Sequence, residues 1–376
     1  MHALASSHAA ALLALASAAP VVTLAAPVQQ AIHGAIVFER MEQNADGTLR
    51  SSNLWLSSST GVRPLTPLLD GVLDEAGTWA DRGTRIAFEH GSATSDSIEF
   101  DIRIVDPANR QLRQVSSGPG NSRFPAWGPG ERLAFVSSYR RRDCLSVIEV
   151  NGRRHLHLFC VPSPAAMARP VWSADGRNLY IHAGYYTGNL EPLWRSLVYR
   201  VDAATGASFM LFDQVLQEPR SLEFSPDGTR GIYSDTHTNE MDMVDFVNGQ
   251  STPVGNGYAP RWSKDGQRIA FSREVFEFDN PPDFRYYEAL FVMDAKGFHA
   301  RRVTRSRVDN HAYTAVQWSD DGVHLLANRR IFVDPSLTLA RYSLRIIDVD
   351  TSGVTPVTDG YAEPGAWLEL RPFANR

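Results

Sequence analysis

Apolar residues in this chain recur in short alternating runs, apolar then polar, each ended by a turn of Gly, Asp, Asn or Pro, and no amphipathic helical stretch separates them. Period two is the signature of strands, and frequent turn residues make the strands short. One phrase organises the pattern: an aromatic residue, a Ser-x-Asp-Gly turn and an alternating strand. It begins at Trp79, Trp127, Trp172, Phe224, Trp262 and Trp318, and the aromatic of a further copy stands at Trp367. The intervals are 48, 45, 52, 38, 56 and 49 residues, with a mean of 48. Ser225-Pro226-Asp227-Gly228 is the fullest turn, and its composition suits a type I turn followed by positive φ.

Each copy continues with a third strand, as in 197–202, 289–294 and 344–349, and a fourth, as in 301–304 and 355–358. Four short strands every 38 to 56 residues form the pattern of a β-propeller blade, and units this short cannot each close a core of their own. The fold class is therefore all-β, a propeller of four-stranded blades, with each Trp or Phe packing between neighbouring blades. The stretches 35–38, 53–56 and 63–66 match strands two, three and four and lack a first strand, which Trp367 supplies. That closure predicts seven blades; six follow if the terminal strands pair differently. A ring so closed has no free sheet edge.

The phrase from Pro260 to Phe271, Pro-Arg-Trp-Ser-Lys-Asp-Gly-Gln-Arg-Ile-Ala-Phe, resembles the repeat of TolB-like propellers, and the resemblance extends from residue 35 to about 370. It implies the fold far more specifically than the function. TolB is a periplasmic envelope protein with an additional N-terminal α/β domain, for which there is no room between Ala18 and Ile36. Similar repeats precede the catalytic domain of prolyl-oligopeptidase-like enzymes, but no G-x-S-x-G elbow occurs here, which closes the serine peptidase reading.

Composition narrows the classes without naming a ligand. Of 376 residues, 43 % are hydrophobic and 21 % charged, which excludes disordered and collagen-like chains. The balance of 37 basic against 42 acidic residues, net −5, gives no electrostatic footprint for nucleic acid. Residues 1–33 carry no Lys, Arg, Asp or Glu, and the apolar run 9–16 followed by Ala16-Ser17-Ala18 reads as a signal peptide cleaved after Ala18. The expected organisation is a signal peptide at 1–18, a linker at 19–33 and one propeller domain at 34–376, with a periplasmic or secreted mature chain that does not span a membrane and is monomeric. Cys144 and Cys160 flank a hairpin turning at Asn151-Gly152. Their even separation of 16 permits a cross-strand disulfide; two buried thiols are the alternative.

Ligands of propellers approach the mouth formed by the ends of strand two and the beginnings of strand one. Just after strand two stand Arg40, His90, Ser137, Ala183, Asp235, Arg273 and Arg329, with Glu39, Glu89 and His182 one residue earlier. Four residues before the aromatic stand Glu75, Arg123, Ala168, Arg220, Tyr258, Thr314 and Glu363. Two aromatic loops flank the same mouth: 184–195, with Tyr185, Tyr186 and Trp194, and 274–288, with Tyr286 and Tyr287. Aromatic side chains beside charge suit a protein interface. The histidines His155 and His157 alternate on an outer strand, where a solvated face is the expected reading, so no metal and no cofactor are assigned. Two readings remain open: a binding or scaffolding propeller holding a protein or envelope partner, and a propeller enzyme, a polysaccharide lyase or hydrolase with a His/carboxylate site at the mouth.

Overall fold

A computed structural model describes residues 35–43, 49–80, 83–93, 98–116, 120–139, 142–151, 155–187, 193–216, 219–235, 237–278, 284–304, 311–332, 340–358 and 367–369. The expected signal peptide and linker lie outside them. Every regular element among them is a strand, in four-stranded antiparallel sets that follow the sequence repeat. The first set comprises Trp367–Glu369, Ala35–Gln43, Leu49–Ser58 and Gly61–Pro64, with Val37 opposite Trp367. The second is Val72–Trp79, Ile86–Ala93, Ile98–Val105 and Leu112–Gln114, and the third Ser122–Gly128, Arg132–Tyr139, Arg142–Glu149 and His155–Cys160. In the fourth, Ala166–Met167 and Val171–Trp172 share the inner position beside Asn178–Thr187, Leu193–Asp202 and Ser208–Leu216. The fifth is Pro219–Phe224, Arg230–Asp235, Glu240–Asp245 and Gln250–Asn256; the sixth Tyr258–Trp262, Arg268–Phe278, Phe284–Asp294 and Arg301–Arg302; the seventh His311–Trp318, His324–Phe332, Ala340–Asp348 and Val354–Pro356.

Second strands are apolar on both faces because both faces are covered. In Ile86-Ala87-Phe88 the large outer residues enter the core shared with the first set, and Ala87 enters the core shared with the third. Ile269, Phe271 and Ala270 divide in the same way between the fifth and seventh sets. Large residues toward one neighbour and a small one toward the other let adjacent sheets pack face to face without a void. Ile36 and Phe38 of the first set share a core with Leu326, Leu344 and Ile346 of the seventh.

The repeat's aromatic packs on the set before it, as expected from the sequence. Trp127, Trp172 and Trp318 each donate the indole N–H to a carbonyl of the preceding inner strand, at 3.1, 3.0 and 2.9 Å on Thr78, Ala126 and Arg261. The Arg two residues after the turn Gly completes the joint. Arg132, Arg230 and Arg268 lie 4.6, 5.0 and 5.0 Å above the rings of Trp172, Trp262 and Trp318 of the next set. Arg132 also donates to the Gly176 carbonyl at 2.7 Å, and Arg268 to that of Gly322. In the turns themselves Ser225 Oγ donates to Asp227 Oδ1 at 2.6 Å, and Gly228 takes φ +68°. Any side chain at that φ is strained. A Cβ on Gly128 would stand 2.4 Å from the Trp172 ring, so in this turn Gly stands in the place of Ser, where the aromatic of the next set approaches.

The two segments read as aromatic loops are mostly ladder. Pairing continues to Phe278 opposite Phe284 and to Thr187 opposite Leu193, so two strand hairpins extend beyond the neighbouring ones. Their alternating aromatic and β-branched positions sustain a sheet where loop was expected. Cys144 and Cys160 face each other across the third set and are joined by a disulfide. The bulge between Leu145 and Ser146 sets that register.

Candidate functional site

The inner strands share a bulge. The ladder shifts between Glu75 and Thr78, Arg123 and Ala126, Tyr258 and Arg261, and Ala315 and Gln317, and Ala76, Phe124 and Ala259 take φ of +55°, +61° and +50°. A bulge frees a backbone N–H and breaks the period-two alternation. The freed donors meet the preceding set: Ala76 N–H donates to Glu39 Oε1 at 2.6 Å and Phe124 N–H to Glu89 Oε1 at 2.9 Å. Glu39 and Glu89 occupy the same repeat position, whose other occupants are Val136, His182, Ser234, Ser272 and Asn328, all buried. Seven equivalent buried positions thus carry two carboxylates, one imidazole and four uncharged side chains.

Charge gathers around this level. Glu89, 1 % exposed, also accepts from Arg123 Nε at 2.6 Å, and Arg123 lies 3.5 Å from Glu75 and 4.1 Å above the Phe100 ring. On the inner strands of the fifth and sixth sets Glu223 and Arg261 stand 3.5 Å apart. Arg169 lies where the ladder of the fourth set breaks between Met167 and Val171. Burial pushes its pKa down to about 10, opposed by the carboxylates of Glu89, Glu39 and Glu223 and assisted by Arg261. Arg169 therefore senses charges from the first, second, fifth and sixth sets. Glu223 keeps 33 % of its side-chain surface exposed, yet burial among the surrounding strands raises its pKa against Arg261 and Arg169. Opposed guanidiniums and carboxylates in poor solvent are a preorganised recognition surface for a polar or charged group.

The sequence-derived candidates separate into distinct roles. Glu75 and Arg123 join this network. His90 places Nδ1 2.6 Å from Oδ1 of Asp74, which is 2 % exposed. His182 is buried with Nε2 2.9 Å from Ser196 Oγ, and burial takes its pKa down to about 4. Asp235 accepts from the backbone of His237 and Thr238 at 2.8 Å each and so closes a turn. Trp194 is 6 % exposed and fills the space beside Gly184, where a Cβ would stand 2.4 Å from its ring, while Tyr185 accepts from Arg195 at 3.3 Å. Tyr258 is buried; Arg273 donates from Nε to the Asn256 carbonyl at 2.7 Å; Arg329 is half-buried on the second strand of the seventh set. The side chains of Arg220, Tyr286, Tyr287 and Glu363 lie outside the described residues. On the outer strand of the third set the His155 and His157 ring centroids lie 4.7 Å apart with the planes tilted by 49°, and His157 Nδ1 lies 2.9 Å from Ser146 Oγ.

Residues missed from sequence are Arg169, Glu223 and Arg261. They stand three and one positions before the aromatic, whereas the reading took only the fourth, and the bulge that admits them is a backbone event without a residue signature. Among the described residues no three His, Cys, Asp or Glu side chains converge as a metal site, and no helix is long and apolar enough to cross a membrane.

No family model matches the sequence, and no curated protein matches it. Solved structures do. An oligogalacturonate lyase in complex with manganese is 15 % identical, covering 87 % of this chain and 86 % of its own, with a TM-score of 0.58. The β-propeller domain of the Trilobed protease from Pyrococcus furiosus is 12 % identical over 87 % of this chain and 93 % of its own, at 0.57. TolB from Acinetobacter baumannii matches at 17 % identity over 88 % and 82 %, at 0.46. At these identities the likeness shows the fold alone, a β-propeller.

Proposed function

We propose that the chain is a seven-bladed propeller closed by its C-terminal strand, exported by a leader cleaved after Ala18 into the periplasm or medium, where it is a binding or scaffolding protein. Its channel mouth and the two projecting hairpins hold a protein or cell-envelope partner. The observation that carries this reading is the convergence on Arg169 of charges from four other sets, at positions that a propeller needs only as packing. Preorganised, mutually opposed charges bind polar groups without needing a reaction. The enzymatic alternative rests on the fold likeness to an oligogalacturonate lyase, and the described residues supply it no convergent ligand set.

The test is affinity capture with residues 19–376 from a cell-envelope extract, beside an Arg169→Gln variant and a Tyr286→Ala, Tyr287→Ala variant, read by quantitative mass spectrometry. A stoichiometric partner lost in either variant supports a binding module and locates its surface. Capture indistinguishable from a matrix control removes the support, and turnover of acidic oligosaccharides by the purified protein would establish the enzyme instead.

A further inference from the structure

The outer strand of each set is paired on one side only, and an unpaired strand edge recruits other strands unless something blocks it. Among the described residues six of the seven outer strands are blocked. Those of the first, second, sixth and seventh sets, Gly61–Pro64, Leu112–Gln114, Arg301–Arg302 and Val354–Pro356, have four residues or fewer, and each contains Pro or Arg. In the third and fifth, His155–Cys160 and Gln250–Asn256, a bulge leaves Leu158 and Val254 as the extra residue. There the turn of the next set closes on the bulge: a Cβ on Gly206 would stand 2.4 Å from the Leu158 carbonyl oxygen, and one on Gly297 2.4 Å from the Val254 side chain.

The fourth outer strand, Ser208–Leu216, has no such cover. It is the longest, at nine residues, and contains no Pro, Lys or Arg. Its bulge leaves Leu211 as the extra residue, in the place of Leu158 and Val254, yet a Cβ on Gly249 in the turn of the next set would meet nothing within 4 Å. Phe209 and Met210 are 61 % and 46 % exposed, and Val247 in that turn 82 %. The one charge of the strand, Asp213, lies 2.7 Å from Arg195 on the adjoining strand. Near the opposite end the exposed Arg200 lies 5.7 Å above the Phe209 ring.

We infer that this edge is where a second copy of the chain docks, with strand 208–216 paired antiparallel to its own counterpart about a two-fold axis. Antiparallel pairing of identical strands sets the first half of one against the second half of the other, which brings Arg200 of each copy toward Asp213 of the other. Parallel pairing would set like charges together. A strand from an unlike protein could make the same backbone bonds, but a copy supplies this charge match by symmetry. With the other six edges blocked, assembly closes at two copies instead of growing into a filament. The inference goes beyond the binding-module reading, which needs no second copy.

Sedimentation velocity of the purified protein from about 0.1 to 100 µM, together with amide hydrogen exchange, tests it. The expected result is a dimer that dissociates on dilution, with the amides of 208–216 protected at the high concentration and exchanging faster at the low one. Met210→Lys and Phe209→Lys put charge on exposed positions of the edge and should each weaken dimerisation about ten-fold or more, with the far-ultraviolet dichroism unchanged. Arg200→Glu, which faces an acid with an acid, should do the same, and Arg200→Lys should restore pairing. Exchange is read on the parent protein and decides the matter even if a variant unfolds. A single monomeric species at about 100 µM, a dimer insensitive to both Lys substitutions, or a dimer whose 208–216 amides exchange as fast as the monomer's overturns the inference.

Discussion

Replacing Glu89 with Ala is the sharpest test of the channel network. The carboxylate is 1 % exposed and holds two donors from the next set, Arg123 Nε at 2.6 Å and Phe124 N–H at 2.9 Å. Its removal leaves a guanidinium and a bulge amide without their acceptor, and breaking a buried pair from one side costs about 3–5 kcal/mol. Glu89→Gln keeps an acceptor for the amide and loses the charge, so about half that loss is expected. The double variant Glu89→Leu, Arg123→Met removes both charges and should recover most of the stability, leaving roughly 1 kcal/mol for the orphaned Phe124 amide. The assay is urea unfolding followed by tryptophan fluorescence and far-ultraviolet dichroism, with coincidence of the two transitions checked because repeat arrays can unfold in parts. A loss below about 1 kcal/mol for Glu89→Ala would show that water replaces the carboxylate, and the channel would then not be a low-dielectric site.

Four other outcomes follow from the same geometry. Arg268→Met removes both the stacking over Trp318 and the bond to the Gly322 carbonyl, and should cost about 1–3 kcal/mol in the same urea assay. His182 is neutral when folded, its pKa lowered from 6.5 to about 4 by burial. The unfolded chain therefore takes up the proton first, and stability present above pH 6.5 is lost as pH falls toward 4, by about 3 kcal/mol in all. His182→Gln should flatten that part of the stability profile. Reducing the Cys144–Cys160 disulfide should cost about 3 kcal/mol, the loop-entropy expectation for a closure of this size, read as a lowered unfolding midpoint in reductant. Truncation at Pro364 removes the strand paired with 35–37 and should lower the thermal midpoint sharply; an unchanged midpoint would mean that the core of Ile36, Phe38 and Leu326 alone holds the ring.

Most of the architecture was legible because a repeat states its rule several times. The turn Gly at positive φ, the aromatic on the preceding set and the Ile-Ala-Phe division of faces are local consequences of residue type, and the sets follow them. The Arg after the turn was present in the same phrase, yet its partner is a ring 32 to 50 residues away, which no local pattern discloses. The segments 184–195 and 274–288 read as aromatic loops, whereas cross-strand pairing sustains the ladder to Thr187 opposite Leu193 and to Phe278 opposite Phe284.

The chain's own order of residues determined what repeats, what turns and what packs: period two, Asp-Gly at the corners and an aromatic for each blade. It also marked Glu75, Arg123 and His90 as charged or titratable at places a propeller leaves open. Only the tertiary structure decided which charges meet. Charges on Glu223, Glu39 and Glu89, from three other sets, act on Arg169, which stands in the break between the two short inner strands of the fourth set. Alternation is a property of neighbours in sequence, whereas electrostatic interaction depends on distance through space, and in a ring the two are related only through closure.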